Sequence, residues 1–65
     1  MSEGTIKRKT DRGFGFIRNN RGNDVYFHMS AVDGTTFELL REGQKVSFEE
    51  TKSDRGPRAE KVRPL

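Results

Sequence analysis

Arg12-Gly13-Phe14-Gly15-Phe16-Ile17, followed eight residues later by Val25-Tyr26-Phe27-His28, is the stretch on which the fold turns. Read as two strands, its period-2 alternation sends Phe14 and Phe16 to one face of the first and Tyr26 and His28 to one face of the second. Gly15, Ile17, Val25 and Phe27 fall on the opposite faces, a composition suited to a packed interior. One side of this strand pair can therefore be buried while the other displays four rings. Exposed rings carry a solvation cost that a flat partner removes, and nucleobases are the commonest flat partners.

Outward from this pair, the chain continues in short alternating runs. Residues 4 to 9 read as a first strand with Ile6 as its one clear core residue, and Asp11-Arg12-Gly13 as a tight turn into the second strand, 13 to 18. Asn19-Asn20-Arg21-Gly22-Asn23 is a dense turn signal between alternating runs, which predicts a hairpin to a third strand from Asp24 to His28 or Met29. Ser30-Ala31-Val32 has room for one helical turn, and the connection from Thr35 to Gly43 reads as a loop. Lys45 to Glu49 alternates again, and Ser53 to Pro57 reads as a turn. Residues 58 to 63 form a fifth strand whose inward residues, Ala59 and Val62, are spaced for a bulge. The fold expected is an all-β, closed or nearly closed antiparallel barrel of five strands, one domain over residues 1–65. Its expected core is Ile6, Ile17, Val25, Phe27, Val32, Leu40, Val46, Phe48, Ala59 and Val62.

At 65 residues there is little interior for a deep pocket, which disfavours catalysis. The chain is 29% hydrophobic and 35% charged with a mean hydropathy of -0.97, so only the strand-like arrangement of its apolar residues supports a fold. Without cysteine it has neither disulfide nor thiolate metal site. No apolar run approaches the roughly 20 residues of a membrane span and the N-terminus does not begin a signal peptide, so a soluble cytoplasmic protein is expected. The net charge of +3 is unevenly spread: residues 1 to 21 carry +4, residues 22 to 50 carry −4 and residues 51 to 65 carry +3. Such a distribution predicts a basic face for a polyanionic partner.

Catalytic and cofactor motifs do not survive inspection. Gly13-Phe14-Gly15 lacks the third glycine and following helix of a dinucleotide fingerprint, because Arg18 stands where that glycine belongs. His28 is the only histidine, with no companion ligands for a metal and no triad around Ser30 or Ser47. Glu49 and Glu50 are adjacent strand residues that point to opposite faces, unlike a glycosidase pair. No enzyme, cofactor, metal or small-molecule substrate is expected. Lys7, Arg8, Lys9 and Arg12 instead place charge beside the ring strand, the combination that single-stranded nucleic acid requires.

Gly-Thr-Ile-Lys at 4 to 7, Arg-Gly-Phe-Gly-Phe-Ile at 12 to 17, Asp-Val-Tyr-Phe-His at 24 to 28, Glu-Gly-Gln-Lys-Val-Ser-Phe at 42 to 48 and Arg-Gly-Pro at 55 to 57 resemble bacterial cold-shock proteins over essentially the whole chain. The two ring segments correspond to that family's ribonucleoprotein-like motifs. The resemblance implies an oligonucleotide/oligosaccharide-binding (OB) barrel that binds single-stranded RNA and DNA, with bases stacked on Phe14, Phe16, Tyr26, His28 and Phe37. It further implies an RNA chaperone that melts RNA secondary structure and acts in transcription antitermination, translation and adaptation to cold. Lys7, Arg8, Lys9, Arg12 and Arg55 are the residues expected to neutralise phosphates. The sequence departs from the family at Arg8 and Lys9, where Trp-Phe is usual, in a following turn one residue shorter, and at Met29, where Phe is usual. These departures predict weaker or less base-selective binding with a steeper salt dependence. A monomer is expected, with a strand-exchanged dimer as the alternative state. The rival function is a protein-interaction module docking a peptide on the ring face.

Overall fold

The computed structural model describes residues 2–54 and 56–65. Alternation builds five strands, β1 (Ser2–Lys9), β2 (Phe14–Asn19), β3 (Asp24–His28), β4 (Lys45–Ser53) and β5 (Gly56–Pro64), with single 3-10 turns at Met29–Ala31 and Phe37–Leu39. They close into a barrel in the order β1-β2-β3-β5-β4, with β4 pairing back to β1. Four of the five seams are antiparallel. The closing β3–β5 seam is parallel and short, paired in register at Tyr26↔Arg58, which corrects the all-antiparallel expectation. The chain must cross from the end of β3 through β4 before β5 returns, and that path delivers β5 running the same way as β3.

Nine side chains, Ile6, Ile17, Val25, Phe27, Leu40, Val46, Phe48, Ala59 and Val62, are at most 1% exposed and fill the barrel. Val32, also expected inside, is only partly buried. It leaves the 3-10 turn at the barrel rim, where an isolated parallel bridge to Val62 holds its backbone. The expected turn at 53–57 is narrower than supposed, because Ser53 pairs with Gly56 and Lys52 with Pro57. Pro57 is tolerated there because β5 has no paired neighbour on its β3 side until Arg58. The loop expected from Thr35 to Gly43 contains the second 3-10 turn and sends Leu40 into the core.

Hairpin chemistry follows the residues. The Asn19 side chain accepts from the N–H groups of Arg21 (2.9 Å) and Asn23 (3.0 Å), and Gly22 takes the left-handed backbone the turn requires at φ 81°. Two bulges set side-chain parity. In β1, Ile6 pairs with Ile17 but Arg8 pairs with Phe16, so Lys7 is an extra residue and everything after it changes face. In β5, the register shifts between Ser47↔Arg63 and Glu49↔Glu60, and Lys61 absorbs the bend with a positive φ of 52°. The sequence spacing of Ala59 and Val62 anticipates this second bulge.

Candidate nucleic-acid interface

The ring face is a β2–β3 ladder whose inward residues leave no alternative orientation. Gly15, Ile17, Val25 and Phe27 are buried, so Phe14, Phe16, Tyr26 and His28 point outward together, each half-buried. Gly15 is required here, since a Cβ would lie 2.5 Å from the Arg8 carbonyl oxygen and 2.8 Å from the Phe27 ring. The register places Phe14 opposite His28 and Phe16 opposite Tyr26. Phe14 and Tyr26 lie 5.7 Å apart and tilted by 33°, while Phe16 meets Phe14 and Tyr26 edge-on at 6.2 Å each. Packing of this kind holds the rings in fixed orientations while leaving outer surface open. His28 is oriented by the turn that follows it: its Nδ1 accepts from the Ser30 N–H at 3.2 Å and lies 2.9 Å from Ser30 Oγ.

The β1 bulge brings Arg8 onto this face opposite Phe16, and the parallel seam brings Arg58 onto it beside Tyr26. Arg8, Phe16, Tyr26 and Arg58 thus form one row across four strands, two rings bracketed by two guanidinium side chains. Lys7 lies beside the row, hydrogen-bonded to Asp24 at 3.0 Å, and Arg18 approaches the same carboxylate at 3.7 Å. The Lys7 hydrogen bond, aided by the nearby charges of Lys7 and Arg18, holds the Asp24 carboxyl below its ordinary range.

Arg12, Met29 and Phe37 gather around an adjacent depression beside the β1–β2 turn. Met29 is 53% exposed and packs across Gly13, and Phe37 rests one ring on the core at Phe27, 5.7 Å away. Lys9 is not on the ring face. The bulge puts it opposite Gly15, on the inward side, and at the barrel mouth its stem carries the ammonium to the carbonyls of Leu40 and Glu38 and over the Phe37 ring at 4.9 Å. That ammonium is engaged within the protein, unlike the phosphate-neutralising role the sequence suggested. Arg55 lies outside the described residues. Arg58 is the residue that sequence reasoning passed over. Inward Ala59 already implied an outward Arg58, but which ring it would adjoin depends on the β3–β5 register.

The family model described as "'Cold-shock' DNA-binding domain" matches residues 2–65. Cold shock protein 1 of Lactiplantibacillus plantarum is 51% identical over 65 residues, covering 98% of each chain. Cold shock-like protein CspLB of Listeria monocytogenes is 48% identical over 66 residues and all of both chains. Among solved structures, "drosophila Unr CSD456" superposes with a TM-score of 0.79 at 26% identity, covering 98% of this chain and 26% of its own. The barrel is an OB fold, and the chain belongs to the cold-shock domain family, whose members bind nucleic acids. Among the described residues no helix is long and apolar enough to cross a membrane.

Proposed function

We propose that this protein binds single-stranded RNA and DNA on the ring face and acts as an RNA chaperone, trapping unpaired bases so that weak secondary structure melts. The observation that carries this reading is the in-register set of outward rings, Phe14, Phe16, Tyr26 and His28, with Arg8 opposite Phe16 at its margin. Bases stack on these rings, and Phe37 and Met29 extend the track past the β1–β2 turn. Lys7, Arg8, Arg12 and Arg55 neutralise the backbone. A duplex keeps its base faces inside the stack and cannot use such a surface, and among the described residues there is no recognition helix for its major groove. Shifting RNA from paired to unpaired forms is the physical basis for effects on antitermination and translation, including those needed in the cold.

Fluorescence anisotropy with a labelled uridine hexamer, its duplex counterpart and a hairpin RNA beacon tests this. The single strand is expected to bind in a salt-sensitive way, the duplex much more weakly, and the beacon to open as protein is added. Equal affinity for single strand and duplex, or no binding of either with capture of an extended peptide instead, would overturn it.

A further inference from the structure

We propose that Arg58 reads the edge of the base seated on Tyr26 and gives this protein a preference for guanine at that position. The inference rests on the proposed single-strand binding and adds to it a specificity that the stacking rings cannot supply, since every base offers a flat face. Four observations converge. Arg58 is the register partner of Tyr26, one strand spacing away, so a base lying on the Tyr26 ring extends its edge toward β5. Arg58 and Pro57 line the same open groove as Phe14, Phe16 and Tyr26. Arg58 is partly buried, whereas Arg8 and Arg12 are exposed. Its Nε is buried and has no hydrogen-bond partner among the described residues.

A buried N–H donor without an acceptor is an uncommon state that a ligand can relieve. A modest swing of the guanidinium into the groove presents its planar fork of donors to whatever lies on Tyr26. Two adjacent acceptors satisfy that fork. Guanine offers them at O6 and N7, whereas adenine sets a donor beside N7 and so repels half the fork. Cytosine has an acceptor pair at O2 and N3 but a smaller stacking face, and uracil separates its carbonyls with an N–H. The expected order is guanine, then cytosine, then uracil and adenine. The loss of selectivity expected from Arg8 and Lys9 in the first strand is thereby offset from the fifth.

Uridine hexamers carrying one central guanosine, cytidine or adenosine, each labelled at the 5′ end, separate the possibilities by anisotropy. The native protein is expected to bind the guanosine hexamer about tenfold more tightly than the adenosine hexamer. Arg58→Lys keeps the charge but loses the fork, so the preference should collapse while the salt dependence stays. Arg58→Gln should turn the preference toward adenosine, whose N6 and N7 match a carboxamide. Thermal melts confirm that both variants fold. A native protein that binds all three hexamers equally, or an Arg58→Lys variant that keeps the guanosine preference, overturns the assignment. So does an Arg58→Gln variant that weakens every hexamer alike with a shallower salt slope, which is the signature of a phosphate contact. Failure of the native protein to bind any hexamer would instead remove the single-strand reading on which this one rests.

Discussion

Phe16 is held in place from two strands and two neighbouring rings. Its ring meets both Phe14 and Tyr26 at 6.2 Å, and its backbone is paired to β1 and β3, so its orientation is set before any ligand arrives. Stacking on such a ring is worth ~1–3 kcal/mol per base. Phe16→Ala and Phe14→Ala should each weaken hexamer binding at least several-fold, with an unchanged far-UV spectrum as the control for folding. Unaltered affinity in both variants would remove the rings from the site. Lys61 is the opposite case, a residue whose backbone matters more than its side chain. At φ 52° it occupies a region that costs an L-residue about 1–2 kcal/mol, and its exposed contact with Glu49 at 3.8 Å returns little. Lys61→Gly should stabilise the fold by roughly 0.5–1 kcal/mol in urea unfolding after the added flexibility of the unfolded chain is counted, whereas β-branched Lys61→Val should destabilise it.

Among the elements, β1 shows how one extra residue can divide two neighbouring cations between different tasks. Because Lys7 is bulged out, Arg8 joins the ring face and Lys9 turns to the barrel mouth, where it ties β1 to the segment that carries Phe37 and Leu40. Hydrogen bonds from a charged donor contribute about 1.5–3 kcal/mol when they are made in partly buried surroundings. Lys9→Met keeps the stem and removes the ammonium. It should cost ~1–2 kcal/mol and accelerate hydrogen exchange at Leu39 and Leu40, while leaving the salt slope of oligonucleotide binding where it was. A reduced slope in this variant would return Lys9 to the phosphate contacts. The same bulge depends on Gly15, whose missing side chain lets β1 and the Phe27 ring close in. Gly15→Ala should cost at least ~1–3 kcal/mol, read as a lower urea midpoint, because the nearest obstacle is a backbone carbonyl that cannot move aside.

Charge acts at the scale of the whole molecule. With Lys9 engaged internally, the proposed phosphate contacts number three or four, so the log-log dependence of affinity on salt should have a slope of about −2 to −3 for a single strand. Arg12→Ala should make that slope shallower by about 0.7 without changing base preference. Acid stability follows from carboxylates that are paired with cations. Asp24, hydrogen-bonded to Lys7, and Asp33, bonded through two nitrogens of Arg63 at 2.6 and 2.9 Å, both titrate below the ordinary aspartate range when folded. A depressed folded value means that their contribution is complete above about pH 4 and is lost as pH falls through the folded values. Thermal midpoints should therefore fall below pH 4, and the combined Asp24→Asn and Asp33→Asn changes should flatten that part of the profile. A profile as steep in the double variant as in the native protein would move the acid sensitivity to other carboxylates.

Much of this molecule was legible in the chain because its alternation is local. Phe14, Phe16, Tyr26 and His28 share a face for the same reason that Gly15, Ile17, Val25 and Phe27 share the other: consecutive strand residues point to opposite sides, whatever the strand later pairs with. Nine of the ten expected core residues are buried, eight of them on strands and Leu40 in the loop after the second 3-10 turn, and the bulge in β5 was visible as a break in the spacing of Ala59 and Val62. What alternation within one strand does not contain is its register against another. The position of Arg58 beside Tyr26, the parallel seam that puts it there, the bulge at Lys7 and the resulting separation of Arg8 from Lys9 all depend on how strands distant in sequence slide past one another to close the barrel. By itself the sequence determined which rings face outward. The closed barrel decided which cations stand beside them, because a one-residue shift in register exchanges the faces of a strand and only the completed ladder settles that shift.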